Sequence, residues 1–188
     1  MDKDKIKTKL REATMGKTKI EIFDFDGTLV DTPLPDTGKR EYQDKTGNPW
    51  PYEGWWGRHE SLDMNVFDMP TVSMVIDGYK KAKADSNTIV IMLTGRMQKL
   101  SADVEKILQA KGLSFDGYFY NRGGETGDAK MKSMDTLLKQ YPEVNEIEMW
   151  DDRVAHVPRF EAWGAAKIAE GRLNKFHVNV VPTTHHGE

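Results

Sequence analysis

The sequence predicts an α/β fold, a parallel sheet covered by helices on both faces. Three observations carry that expectation. Short apolar runs of strand length alternate with segments whose apolar residues recur at helical spacing, the pattern of strand–helix–strand units. Acidic or hydroxyl-bearing residues follow these runs directly, and in such sheets ligands gather at the carboxyl ends of the strands. One stretch, residues 31–69, breaks the alternation just after the first run.

The elements follow in order. Residues 1–17 carry Lys3, Lys5, Lys7, Lys9 and Arg11 with few apolar partners. They read as a solvated helix, with a basic arm for nucleic acid as the alternative. Gly16-Lys17-Thr18 looks like the end of a phosphate-binding loop. Arg11 stands where the first glycine of that motif belongs, and the tripeptide precedes a strand instead of following one, so the reading is rejected. Ile20 to Phe23 is a buried strand. Residues 31–69 hold Pro33, Pro35, Pro49, Pro51, Gly47, Gly54 and Gly57 together with Trp50, Trp55 and Trp56. A stretch of that length without clear periodicity is usually functional or disordered, and its tryptophans argue against disorder. It is expected to be a lid over the first strand's end, or a loop that the tryptophans pin to the core.

Thr71 to Lys83 is helical through Val72, Val75, Ile76 and Tyr79, and Thr88 to Leu93 is a continuous apolar strand. Ala102 to Lys111 is helical, with Gly112 as its stop. Gly117 to Tyr120 is a short aromatic strand. Ala129 to Tyr141 is helical through Met131, Met134, Leu137 and Leu138. Ile147 to Trp150 is a strand, Pro158 to Ala166 a helix and Phe176 to Val181 the last strand. The expected organisation is a basic extension over 1–18, one α/β domain over 19–182 and a polar tail over 183–188. The tail holds His185 and His186.

The chain has 188 residues, a net charge of −3 and no cysteine. The length suits one domain with an insertion. The near-balanced charge creates no global field that demands nucleic acid or membrane. The lack of cysteine excludes disulfides, zinc–thiolate sites and thiol nucleophiles. No apolar stretch approaches the roughly 20 residues that span a bilayer, and residues 1–17 do not resemble a secretory signal. A soluble cytoplasmic protein without a membrane partner is expected.

The chemistry concentrates in Phe23-Asp24-Phe25-Asp26-Gly27-Thr28. In a strand, residues i and i+2 point the same way. Asp24 and Asp26 therefore face one pocket if the chain turns at Gly27. Two carboxylates so placed repel, so one must be protonated or a cation must sit between them; a hard divalent ion suits oxygen ligands. Three further features stand at strand ends or helix starts: Thr94-Gly95-Arg96, Gly127-Asp128-Ala129-Lys130-Met131-Lys132 and Asp151-Asp152-Arg153. Each alone has a plain alternative as a cap, a solvated lysine or an ion pair. Together, in this order, they point to metal-assisted chemistry.

That order resembles the haloacid-dehalogenase-like hydrolases, over roughly residues 19–181. Asp31-Thr32-Pro33-Leu34-Pro35, Gly54-Trp55-Trp56 and the Asp-Asp-Arg ending are similar to the hydrolase domain of the so-called Swiss Army Knife RNA-repair proteins. Gly127-Asp128 with Lys132 also resembles the phosphatase half of phage polynucleotide kinase-phosphatase. The resemblance implies a Rossmann-like sheet with a lid-like insertion after the first strand. It implies a magnesium-dependent phosphomonoesterase, with Asp24 as nucleophile through an aspartyl-phosphate and Asp26 as general acid and then base. Thr94 would donate to a phosphoryl oxygen. Lys132, preferred over Lys130 from the Asp128-x-x-x-Lys132 spacing, would neutralise the transferring group. Mg²⁺ would be held by Asp24, the Asp26 carbonyl, Asp151 and Asp152. Substrate binding would fall to Gly95, Arg96, Arg122, Asp128, Lys130, Arg153, Trp55 and Trp56, because arginine matches phosphate bidentately and tryptophan can stack on a base. The implied substrate is a phosphorylated nucleic-acid or nucleotide end, 3′-phosphate favoured, with a separate repair ligase or kinase as a partner. The alternatives are a phosphatase of a free nucleotide or small metabolite, and a catalytically silent nucleic-acid-binding module.

Overall fold

The structure is a computed structural model that describes residues 2–182; the polar tail with His185 and His186 lies outside the described residues. Five parallel strands, β1 (Lys19–Phe23), β2 (Thr88–Met97), β3 (Gly117–Asn121), β4 (Glu146–Asp151) and β5 (Lys175–Val180), form one sheet in the order β3-β2-β1-β4-β5. The chain builds outward from β1 through β2 to β3, then returns to the other side of β1 with β4. The order thus reverses beside β1, the kind of point where open α/β sheets bind ligands. Phe23 pairs in register with Met92 on one side and Trp150 on the other, so the residues that follow these strands emerge together.

Both faces of the sheet are covered, which is why its strands read as apolar runs and not as alternations. On one face, Phe23, Val90 and Met92 meet Val75 and Tyr79 of α3 (Ser73–Ala84) and Val104, Ile107 and Leu108 of α4 (Ser101–Ala110). On the other, Ile20, Ile22, Ile89, Ile91 and Ile147 meet Met134 and Leu137 of α5 (Thr126–Gln140) and Phe160 of α6 (Val157–Ala169). Gly112 ends α4 as expected, at φ +73°. The basic segment forms helix α1 (Lys3–Thr14), its lysines exposed.

Residues 31–69 contain a helix that the sequence reading lacked, α2 (Pro35–Thr46). Hydrophobic spacing missed it because α2 buries only Gly38 and is polar elsewhere. Its ends were legible: Pro35 opens it, and Gly47 closes it at φ +76° with its N–H on the Gln43 carbonyl. Gly38 is the seat for Trp55. The indole lies flush against it, with its Nε1–H on the Pro33 carbonyl at 3.2 Å and the Trp50 and Phe67 rings at 4.8 and 5.4 Å. Trp55, Leu62, Phe67 and Met69 are buried in continuity with Phe23 and Phe25, so the insertion carries part of the main core.

A β-carbon at Gly38 would lie 2.2 Å from Trp55 Cη2. Helix propensity alone would make Gly38→Ala stabilising by about 1 kcal/mol. Overpacking against a fixed indole costs about 1–3 kcal/mol, so urea denaturation is expected to show net destabilisation. A variant as stable as the parent would mean that the Trp55 seat has slack.

Candidate active site

The chain leaves β1 in a tight turn. Gly27 adopts φ +67° and its N–H donates to the Val30 carbonyl at 2.8 Å, while Leu29 N–H donates back to the Asp24 carbonyl. The turn aims both Asp24 and Asp26 into one cavity of about 290 Å³, lined also by Trp56, Gly95, Arg96, Met97, Thr126, Lys130, Asp152 and Arg153. Gly95 is there for space: a β-carbon would stand 2.5 Å from Thr126 Cγ2, where the end of β2 passes the start of α5.

The floor is an acidic cluster around one ammonium. Asp24, Asp151 and Asp152 are buried and bring carboxylate oxygens within 4.8 Å of one another. Lys130 Nζ, also buried, donates to Asp24 Oδ1 at 2.9 Å and Asp151 Oδ2 at 2.6 Å. Thr28 Oγ1 donates to Asp24 Oδ2 at 3.2 Å, and the Arg153 amide to Asp151 Oδ1 at 2.9 Å. Burial pushes the Asp24 carboxyl well up, against the pull of Lys130, with Asp151 and Asp152 adding to the rise. Burial alone would lower the Lys130 ammonium, but Asp151 and Asp24 outweigh it and raise it. The three carboxylates outnumber the one ammonium, so the cluster is acidic on balance. Hard oxygen donors with that residual charge fit a hard divalent cation.

Asp26 belongs to a second arrangement. Its carboxylate is gripped by Arg96 from Nε (3.0 Å to Oδ2) and Nη2 (2.8 Å to Oδ1), and Thr32 Oγ1 donates to Oδ1 at 2.7 Å. Arg96 Nη1 reaches the Trp56 carbonyl at 2.7 Å and Ser61 Oγ at 2.9 Å. Arg96 thus ties the end of β2 to both Asp26 and the insertion. Thr94 is buried just before it, its Oγ1 accepting the Arg96 N–H at 3.1 Å.

The structure corrects several expected placements. Lys130, not Lys132, meets the carboxylates; Lys132 is exposed. The deciding signal was helical period: Lys130, Met134 and Leu137 share one buried stripe of α5, whereas Lys132, Thr136 and Lys139 follow the polar one. Arg96, expected on substrate, has its guanidinium taken by Asp26, Trp56 and Ser61. Arg122 is exposed and outside the cavity lining. Asp128 is exposed and ion-paired with Arg159. Trp55 is buried in the insertion core, while its neighbour Trp56 lines the cavity. Arg153 also lines the cavity, and its buried Nε has no hydrogen-bond partner among the described residues. Met97, Thr126, Ser61 and Thr32 were not anticipated. Met97 and Thr126 sit just beside recognised motifs, Thr32 lies within the Asp31–Pro35 stretch and meets the nearby Asp26, and Ser61 acts through a long-range contact with Arg96.

A doubly wound sheet with paired acids after β1 and β4 and a helix-borne lysine between them defines the haloacid-dehalogenase (HAD) class of hydrolases. Residues 45–187 match the profile of HAD domain family 1 in Swiss Army Knife RNA repair proteins, and the chain belongs to that family. The uncharacterized protein YMR265C of Saccharomyces cerevisiae is 27% identical over 169 residues, covering 78% of this chain and 37% of its own length. Two solved structures of a Pnkp1/Rnl/Hen1 complex contain a chain similar at 20% identity, with TM-scores of 0.53 and 0.54; the match covers 88% and 89% of this chain and 47% and 44% of those chains. An archaeal β-phosphoglucomutase from Pyrococcus sp. strain ST 04 is similar at 15% identity and TM-score 0.50, over 78% of this chain and 84% of that one. The chain spans under half the length of YMR265C and of the matched complex chains. The structural likenesses bear on fold.

Removing the Lys130 ammonium leaves buried carboxylates without compensation. Lys130→Met is expected to cost about 3–5 kcal/mol of stability, the scale for breaking a buried pair, and to abolish turnover. Lys132→Ala should stay within about 0.5 kcal/mol with near-parental activity. Chemical denaturation and initial rates check both, and the reverse ranking would return the role to Lys132.

The helix carrying Lys130 is capped by Glu125, which accepts the Gly127 and Asp128 N–H groups at 2.8 and 2.9 Å. Those two amides, opposed by burial and helped by Arg159, pull the Glu125 carboxyl down to about 2 from 4.5. A depressed carboxyl contributes stability that is complete above pH 4.5 and is lost as pH falls toward 2. Glu125→Ala should cost about 1 kcal/mol at neutral pH. Relative to Glu125→Gln, which keeps an acceptor without titrating, the parent's advantage should shrink from pH 4.5 downward. A pH-independent difference would exclude Glu125 as the titrating cap.

Proposed function

We propose that the protein is a magnesium-dependent phosphomonoesterase that removes the terminal phosphate of nucleic-acid or nucleotide ends, 3′-phosphate favoured. The observation that carries the reading is Lys130, buried between Asp24 and Asp151 beside Asp152, at the floor of a cavity whose wall includes Arg153. Membership of an RNA-repair domain family supports nucleic-acid ends over other phosphates. So does likeness to a chain of an RNA repair complex, which also motivates a separate ligase or kinase as a working partner.

In this reading an Asp24 carboxylate oxygen attacks phosphorus and the bond to the leaving oxygen breaks. Asp26 supplies the proton which that oxygen takes. Water then attacks the phosphoryl group and gives its proton to Asp26; the Asp24–phosphorus bond breaks, releasing phosphate and restoring the carboxylate. Gripped by Arg96, Asp26 stands as an acceptor, the form the second step requires; before the first step it must take up a proton from solvent. Lys130 holds Asp24 in position and offsets charge on the transferring group. Thr94, whose oxygen already accepts the Arg96 amide, has its O–H left to donate to a phosphoryl oxygen. Arg153 would meet a further phosphate of the strand. Asp24, Asp151 and Asp152 would hold the divalent ion, which when bound supplies charge neutralisation that the lone ammonium cannot complete.

A cavity of about 290 Å³ is at the small end for ligand pockets, and this favours a second reading, a phosphatase of free nucleotides. Parallel rates on 3′-phosphorylated oligonucleotides, 5′-phosphorylated oligonucleotides and mononucleotides separate the two. For the mechanism, Asp24→Asn is expected to lower turnover at least about 10³-fold with the fold retained, the scale seen when a nucleophile is removed. EDTA should abolish turnover and excess Mg²⁺ restore it. Full activity in EDTA would defeat the metal-assisted mechanism.

A further inference from the structure

We infer that Trp56 and Met97 form a platform for the nucleobase attached to the scissile phosphate, which makes them specificity determinants. The inference rests on the phosphatase reading of the cavity and adds the part of the substrate that the carboxylates do not touch.

Among the described residues, two of the exposed large apolar side chains share the cavity: Trp56 at 38% and Met97 at 37%. The rest of the lining is mostly charged, with Asp24, Lys130 and Asp152 at the floor. A phosphate ester seated at Lys130 must direct its organic part outward, past the apolar wall. A thioether and an indole both make favourable contacts with the face of a flat ring, more than with a sugar or a short polyol.

The indole is also prearranged. The Arg96 guanidinium lies over it, 4.9 Å from the ring centroid, and Arg96 Nη1 fixes the Trp56 backbone carbonyl at 2.7 Å. A side chain already held costs little further entropy on binding. That tether runs through the backbone, so it does not require the indole. The neighbouring Trp55 differs: its ring fills the insertion core on Gly38, and its N–H is spent on Pro33. Two adjacent residues of one type thus separate into a packing role and a surface role at the cavity. Met97 lines the same wall from the end of β2, where the pairing with β3 shifts register between Leu93 and Met97.

The test uses the full chain with Asp24→Asn, so that substrate is bound and not consumed, with and without Trp56→Ala. Calorimetric Kd values are measured in Mg²⁺ for a 3′-phosphorylated oligonucleotide with its terminal base and for the same strand with that nucleotide abasic. The platform predicts that the base improves binding about 5- to 150-fold in the Trp56 protein, the range for one stacked base. The preference should collapse toward one with Trp56→Ala and largely persist with Trp56→Phe. Equal weakening of both strands by Trp56→Ala, or a base preference that survives it, overturns the inference, as does the lack of any preference at the start. Turnover of glycerol phosphate by the parent protein is followed separately. Its absence, together with absence on every nucleic-acid end, would remove the phosphatase reading while leaving the binding comparison to decide the platform.

Discussion

The architecture of the site depends on one buried ammonium. Lys130 is almost without solvent contact and is held by two carboxylates that are equally withdrawn from water. Desolvating any one of these charges costs several kcal/mol, and only close mutual contact offsets it. The contact needs three elements in fixed relation. β1 and β4 must be neighbours, parallel and in register, so that Asp24 and Asp151 leave the sheet side by side. α5 must begin where Glu125 caps it, so that its second turn brings residue 130 to the sheet. The topology and the helix start are therefore constraints imposed by the charge cluster as much as by the apolar core.

Arg96 makes a second, distinct link. Its guanidinium joins a strand end, the Asp26 carboxylate, a backbone carbonyl of the insertion and the Ser61 hydroxyl. A planar cation with five fixed donors can do this, and a lysine could not. The consequence is that the insertion and Asp26 are mechanically coupled. Anything that moves residues 56–61 also disturbs the grip on Asp26.

The sequence made the sheet legible because every strand is an apolar run bounded by turn signals, and four acidic or hydroxyl-bearing motifs sat at strand ends or at a helix start. Asp24, Asp26, Asp151 and Asp152 were readable for that reason. Helix α2 was not, since a helix that buries one glycine has no hydrophobic period; only its Pro35 and Gly47 bounds mark it. Motif spacing favoured Lys132, whereas the buried stripe Lys130–Met134–Leu137 points to Lys130, the lysine that meets the carboxylates. The different roles of Arg96 and Arg153 could not be read, because both follow strands in similar motifs and only the fold decides which one meets a carboxylate.

The residual charge of the cluster bears on what the insertion can do. The acidic floor repels a phosphate ester, and Lys130, already paired with Asp24 and Asp151, does not by itself reverse that. Of the three cations in the lining, Arg96 pairs with Asp26 and Lys130 with Asp24 and Asp151, while Arg153 stands outside both pairings. Opening the insertion as a rigid flap would break the buried Arg96 contacts and draw Trp55, Leu62, Phe67 and Met69 away from the cluster they share with Phe23 and Phe25, exposing part of the main core. Hydrophobic burial of that size opposes such a motion. Access is therefore more economically governed at the mouth, by the exposed Trp56 and Met97 side chains, with Trp55 and α2 staying in place. The two adjacent indoles thus lie in different surroundings, Trp55 buried in the insertion core and Trp56 exposed at the cavity.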